Sequence, residues 1–191
     1  MNNVNIKVMT SSKNMEWATP QEFVDSTPFN YGLDVCASAL NAKAAAYYDV
    51  SDDALTKPWR GVCWMNPPYG RAVGRWIAKA AEESEQGALV VALVPNRTET
   101  QWFQRIWDEA TCICFLAHRI KFVKPGGVGA DVAPFANVLA TFGRLERNHL
   151  RPRILGRYEE DVSPAEIAAT ELNVLGTTLV PGAGNLWVYG R

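Results

Sequence analysis

A chain of 191 residues is long enough to bury a core of its own, and its length fits one domain without disulfide support. A net charge of −1 and a hydrophobic share of 48% are ordinary for a globular protein, and no apolar run is long enough to span a bilayer. Met1 to Lys7 lack the apolar core of a signal peptide, so the expectation is an intracellular protein with no membrane contact. Cys36, Cys63, Cys112 and Cys114 form no Cys-x-x-Cys pair, and the two histidines are His118 and His149. That inventory argues against zinc and predicts no metal.

Residues 1–16 are polar and aperiodic, and are read as a mobile arm. In Trp17-Ala18-Thr19-Pro20-Gln21-Glu22-Phe23 a threonine precedes a proline and Glu22 follows three positions on. Cap, first-turn proline and capping box predict a helix running to about Ser26. Its role is structural, or else the loop before it closes over a ligand with Trp17 as one wall.

Leu33-Asp34-Val35-Cys36-Ala37-Ser38 reads as a strand with an acid near its end and small residues at the turn, followed by a helical Leu40-Asn41-Ala42-Lys43-Ala44. Small residues let the backbone approach a nucleotide-type cofactor. A glycine-rich dinucleotide fingerprint is absent, which points to a cofactor without a pyrophosphate. Ala45 to Val50 predicts a second strand ending in Asp49, with Asp52 and Asp53 just beyond. An acid at that tip is placed to accept from ribose hydroxyls, with surface decoration the alternative reading for one of the three.

Val62-Cys63-Trp64-Met65 is an apolar strand that stops at Asn66-Pro67-Pro68-Tyr69-Gly70. Proline supplies no ladder donor and restrains the residue before it, so Asn66 and Pro67 are stiff and extended at a strand's carboxyl end. An amide oxygen on Asn66 and a carbonyl on Pro67 suit an amino group held by both hydrogens. Tyr69 offers a flat face on which a planar base stacks. An exocyclic amine on an aromatic ring fits all three. The competing structural reading is an ordinary turn, with Asn66 capping the following helix and Tyr69 packing.

After Gly70, Val73, Trp76, Ile77 and Ala80 recur at helical spacing, and Gly87 closes that helix. Ala88 to Pro95 is apolar on both faces, the mark of a central parallel strand. The loop Asn96-Arg97-Thr98-Glu99-Thr100 faces the ligand edge. Trp102, Phe103, Ile106 and Trp107 mark an amphipathic helix whose aromatic stripe reads as core. Cys112 to Leu116 is the next strand, then Arg119-Ile120-Lys121-Phe122, a loop from Lys124 to Ala130, and a last strand at Ala136 to Phe142. Alternating strands and helices predict a mostly parallel α/β sheet with an irregular last edge. One domain accounts for residues 17–143. Residues 144–191 form an extension without an assigned role, containing a short helix at Ser163–Leu172 and a terminal strand at Leu186–Tyr189.

Charge is uneven. Between His118 and Arg157, eight Lys/Arg (Arg119, Lys121, Lys124, Arg144, Arg147, Arg151, Arg153, Arg157) face two acids, a local +6, whereas residues 1–117 carry ten bases and thirteen acids, or −3. Such a segment is what phosphate-backbone contact requires, and equally what a solvated charged surface looks like.

Taken in order, Trp17-Ala18-Thr19-Pro20, Leu33-Asp34-Val35-Cys36-Ala37, Asn41-Ala42-Lys43, Asp53-Ala54-Leu55, Trp59, Asn66 to Gly70, Thr98-x-Thr100 before Trp102-Phe103, and Arg119-Ile120-x-Phe122 resemble the phage-type DNA N-6-adenine methyltransferases. The likeness covers about Trp17 to Phe142 and is far more specific than any one piece. It implies a Rossmann-like, S-adenosylmethionine-dependent α/β fold: a mostly parallel sheet with one antiparallel strand and helices on both faces. It implies further that Trp17, Thr19, Pro20, Asp34, Cys36, Ala37 and Asp49 or Asp53 border the cofactor, and that Asn66, Pro67, Pro68 and Tyr69 hold a flipped adenine of DNA. Phe122 is the candidate for the opposite face of the base, and Arg119 and Lys121 for contact with the nucleic acid. In a phage-encoded protein the setting would be the host cytoplasm. Two departures bear on the cofactor contacts: the glycine-containing first motif of wider methyltransferases is here Asp34-Val35-Cys36-Ala37, and the family's usual glycine after Asp53 is Ala54.

The acceptors dictate the chemistry. The N6 lone pair of adenine is delocalised into the ring until hydrogen bonds to Asn66 and Pro67 pyramidalise the nitrogen and stabilise the positive charge that develops. The same motif on another planar group, a guanine in RNA or a protein glutamine, is the alternative, and a nucleotide- or DNA-binding protein without activity is the third.

Overall fold

The structure is a computed structural model and describes residues 18–116, 118–124, 129–144 and 186–190. Among the described residues, seven strands build one sheet: β1 (Leu33–Asp34), β2 (Ala46–Tyr47), β3 (Val62–Met65), β4 (Leu89–Pro95), β5 (Cys112–Leu116), β8 (Asn137–Phe142) and β9 (Leu186–Gly190), in the order β2-β1-β3-β4-β8-β5-β9. Two more, β6 (Lys121–Val123) and β7 (Ala130–Val132), pair antiparallel as a separate ribbon. The first four strands of that order run parallel to one another. β8 runs antiparallel between β4 and β5, and β9 antiparallel beside β5. Two strands are therefore reversed where one is expected from the sequence, because the Leu186–Gly190 segment returns to satisfy the outer edge of β5.

β4 sits in the middle and all seven of its residues are buried, as its unbroken apolar run requires. Successive side chains point to opposite faces, so each strand feeds two cores. Cys63, Met65, Val90, Ala92 and Val94 pack with Ile77 and Ala80 of α2 (Val73–Glu85) and with Phe103 and Ile106 of α3 (Gln101–Glu109). Ile77 and Phe103 are fully buried, each contributing about 1.5–3 kcal/mol. The two helices meet closely at Gly74, where a Cβ would stand 3.3 Å from Cβ of Trp102.

The other face packs Val62, Trp64, Leu89, Val91 and Leu93 against Val24 of the six-residue α1 (Gln21–Ser26), Phe29, Ile120, Phe122 and Ala133. Helices thus lie on both faces, but on this one a single short helix shares the cover with a loop and the β6–β7 ribbon. β7 falls where a plain loop is expected, and its three residues are exposed, which hides it from a hydrophobic pattern.

Two local readings are corrected. Thr19 does not cap α1: Pro20 is the N-cap position, its carbonyl accepts from Phe23 and Val24, and the Thr19 hydroxyl is engaged elsewhere. Residues 40–44 turn instead of forming a helix. Asn41 Oδ1 accepts from the Ser38 N–H at 2.7 Å and Asp34 Oδ2 from the Lys43 N–H at 2.9 Å, so side chains take donors a helix would have used. The helix expected at Ser163–Leu172 lies outside the described residues.

Stops are legible in the chain. Gly87, at φ +95, ends α2, with its N–H on the Ser84 carbonyl and that of Ala88 on Glu83. Thr100 caps α3 by accepting from the Phe103 N–H at 3.3 Å. All four cysteines are free.

Candidate active site

β1, β2, β3 and β4 end at the same edge of the sheet, and antiparallel β8 begins there. The turn after Asp34, the loop after Tyr47, the Asn66–Tyr69 segment, Asn96 and Asn137 are therefore brought to one edge. That is where open α/β sheets bind ligands.

Asn66 directly follows β3. Its Nδ2 donates to Thr19 Oγ1 at 3.2 Å, across 47 residues, and Thr19 is itself 2% exposed. In this orientation the amide turns its nitrogen to Thr19 and its oxygen away from it. Asn66 Oδ1 is buried and has no donor. An unpaired buried acceptor costs about 1–3 kcal/mol, a cost that a donor reaching it would remove. The helix-capping reading of Asn66 fails on position: α2 starts at Val73 with Ala72 as its cap residue and no side-chain cap. Pro67 is buried and Pro68 half-buried.

Tyr69 is half-buried. Asn137 Nδ2 donates to its hydroxyl at 3.1 Å, and the hydroxyl lies 3.5 Å from the Leu93 carbonyl. The ring meets Phe122 edge-on, centroids 6.2 Å apart at 77°, and Phe135 at 5.5 Å and 57°. Burial pushes the phenol well above its ordinary range, against the opposing bond from Asn137, so the hydroxyl stays neutral. Phe122 is 2% exposed and backs Tyr69; facing a base would require it to leave that position. Arg119 and Lys121 are exposed on the segment carrying Phe122. Val123 exchanges two backbone bonds with Ala18, which ties the Thr19 segment to β6.

The other half lies beyond β1 and β2. Asp34 is 2% exposed, and its oxygens accept from the N–H groups of Cys36 at 3.1 Å and Lys43 at 2.9 Å. Burial lifts its carboxyl to about 6, against those two bonds and the Lys43 charge. Ala37 donates to the Tyr48 carbonyl and Tyr48 to that of Asp34, so the two loops advance together. Burial, with the Asp34 charge behind it, pushes the Cys36 thiol up, which makes it a small neutral wall. Asp49 accepts from both the N–H and hydroxyl of Ser51, and those bonds, the hydroxyl's first, hold its carboxyl low. Asp52 pairs with Lys57 at 2.9 Å. Asp53 is exposed at φ +49, the one non-glycine residue in the left-handed region among the described residues, and starts the 3-10 turn Ala54–Thr56. Ala54 itself does not need positive φ; the strained position is Asp53.

Asp34, Cys36, Ala37, Asn66, Pro67, Pro68 and Tyr69 follow the strands of this edge, Thr19 reaches it through Asn66 and Phe122 through Tyr69, whereas Trp17 lies outside the described residues. So do Arg147, Arg151, Arg153 and Arg157 of the basic segment. Sequence reading missed Asn137, whose signal is a lone amide opening an otherwise apolar strand. Among the described residues no group of three His, Cys, Asp or Glu is arranged to hold a metal, and no helix is long and apolar enough to cross a membrane.

The fold is an open α/β sheet whose carboxyl edge carries a buried, unpaired amide oxygen on Asn66, three residues before the ring of Tyr69. The chain belongs to the DNA N-6-adenine-methyltransferase (Dam) family, which matches residues 7–150. It is 30% identical over 113 residues to the DNA N-6-adenine-methyltransferase of Haemophilus phage HP1 (strain HP1c1), covering 56% of this chain and 65% of that protein. It is also 30% identical over 105 residues to that of Escherichia phage T1, covering 52% of this chain and 44% of the other. The aligned part thus spans less than two thirds of either relative.

Proposed function

We propose that this protein transfers a methyl group from S-adenosylmethionine to the N6 amino group of adenine in DNA, in the host cytoplasm if it is phage-encoded. The observation that carries the reading is the Asn66 amide: Thr19 fixes its nitrogen and leaves its oxygen buried without a donor, beside Tyr69. S-adenosylmethionine, when bound, supplies an electrophilic methyl on a sulfonium centre. The residues of the β1–β2 end suit it: Cys36 and Ala37 are small neutral walls, and Asp49 stays ionised to accept ribose hydroxyls. Thr19, Pro20, Asp34 and Asp53 complete that border, with Trp17 a further candidate for its wall.

An adenine extruded from the duplex, at a cost of a few kcal/mol, lays its face on Tyr69. Its N6 hydrogens are then taken by Asn66 Oδ1 and the Pro67 carbonyl, while Pro68 keeps that segment extended. Held this way, N6 pyramidalises, its lone pair is directed at the methyl carbon, and the two acceptors stabilise the positive charge on nitrogen. Bound at the β1–β2 end, S-adenosylmethionine would supply the methyl for the new C–N bond and would leave as the neutral thioether, keeping the C–S electron pair. N6 then loses one proton to water, and the neutral Tyr69 takes no part in that transfer. Arg119 and Lys121 approach the phosphates. We assign the catalytic unit to residues 17–143.

The test is incubation of the full chain with unmethylated DNA and methyl-labelled cofactor, scoring N6-methyladenine. Label in that base is the expected result. Label in RNA or in a protein glutamine, or bound cofactor with no methyl moved, would overturn the reading.

A further inference from the structure

Asn137 opens β8, a strand otherwise made of Val138, Leu139, Ala140, Thr141 and Phe142. It pairs in register with Pro95 at the end of β4, and is 1% exposed. Asparagine is disfavoured in strands, and burying an amide costs several times what one hydrogen bond returns. Its presence needs a compensating role. Its Nδ2 is spent on the Tyr69 hydroxyl at 3.1 Å, across 68 residues, while its Oδ1 is buried without a partner, as is that of Asn96 next to Pro95.

We infer that Asn137 is a positioning residue that holds the far end of Tyr69, so that the ring face stays turned toward the target base. The inference rests on the proposed methyl transfer to adenine. A tyrosine ring swings on two torsions, and its contacts with Phe122 and Phe135 are apolar edges that permit rotation and sliding. The remaining polar contact, Leu93 carbonyl to hydroxyl at 3.5 Å, is too long to anchor it. A bond at the para position acts at the greatest distance from Cα and is therefore the most effective restraint on ring tilt. Asn137 also sits on the strand whose register is locked to β4, so the anchor is as rigid as the sheet centre. Of the two ends of this amide, the donor meets Tyr69 and the acceptor has no partner.

A double-mutant cycle tests this on the full chain: Asn137→Leu, Tyr69→Phe and the pair, with kcat and KM for unmethylated DNA and the cofactor dissociation constant measured for each. Each single variant is expected to lose about tenfold in kcat/KM for DNA with cofactor affinity unchanged. The pair is expected to lose no more than either single, since both remove the same bond. Multiplication of the losses to about a hundredfold, or Tyr69→Phe with full activity, would overturn the inference. If Asn137→Leu does not fold, Asn137→Ala takes its place in the cycle, with the same criteria. Active wild-type protein with independent losses defeats this inference only, whereas a wild-type chain that moves no methyl to DNA defeats the underlying reading and this with it.

Discussion

Beyond β1, Asp34 has its carboxylate oxygens occupied by the chain's own N–H groups; beyond β3, Asn66 has its amide oxygen left with no donor at all. Both side chains sit at the same sheet edge and both carry buried oxygens, yet the oxygens of Asp34 are taken by its own loop and that of Asn66 has no partner. The difference separates two kinds of site residue. In the proposed function, Asp34 acts through the shape of the turn from Val35 to Lys43 and Asn66 by touching what binds. A motif in sequence does not reveal which kind a residue is, because that depends on where the partners come from.

The sharpest way to break this contrast is at Asn66. Asn66→Ala should lower methyl transfer by at least about a hundredfold, as losses at oriented transition-state contacts do, with thermal stability maintained because an orphaned acceptor is removed; rate and melting curves measured on one preparation check both halves. On the other side, Asp34→Ala strands two backbone donors and should cost about 1–3 kcal/mol of stability, read by denaturant unfolding. Acidity sharpens the same point. The Asp34 carboxyl is raised from 3.8 to about 6, so the folded protein binds its proton more tightly than the unfolded chain does. The contribution of Asp34 to stability is therefore greatest below about pH 4, falls as pH rises to about 6 and is level above, by on the order of 3 kcal/mol. Asp34→Asn should abolish that slope; unfolding at a series of pH values, wild type minus variant, would show it, and an unchanged difference would contradict the burial account.

Thr19→Val keeps the shape and removes the hydroxyl that orients Asn66. Freed to turn over, the amide should present its nitrogen part of the time, lowering kcat about tenfold, with Thr19→Ser restoring it. The smallest functional effect belongs to Gly143, at φ +98, where a Cβ would lie 2.3 Å from the Ala88 carbonyl. Gly143→Ala should lose about 2 kcal/mol of stability, seen in chemical unfolding, while kcat of the folded fraction is unchanged.

Local patterns carried the fold far. The apolar run Leu89–Pro95, the helical spacing of Val73, Ile77 and Ala80, and Gly87 each declare their structure within a few residues. Failures share one cause. The Thr19 hydroxyl bonds Asn66 instead of capping α1, Asp34 claims the Lys43 N–H that a helix at residues 40–44 would use, and β9, a strand expected from its sequence, adds a second reversed strand by pairing with β5. All three depend on partners distant in sequence or on side chains competing with the backbone. The site divides the same way: Asn66 to Tyr69 are legible as a proline-stiffened strand end, whereas Asn137 becomes visible only when β8 is laid against β4.

The most direct measurement is titration of S-adenosylmethionine into Asn66→Ala and Asp34→Ala, run beside methyl transfer to DNA by the same samples. The two-part account predicts a crossing: Asn66→Ala binds the cofactor with wild-type affinity and transfers nothing, while Asp34→Ala binds it at least about tenfold more weakly. Equal loss of binding and transfer in both variants would contradict it.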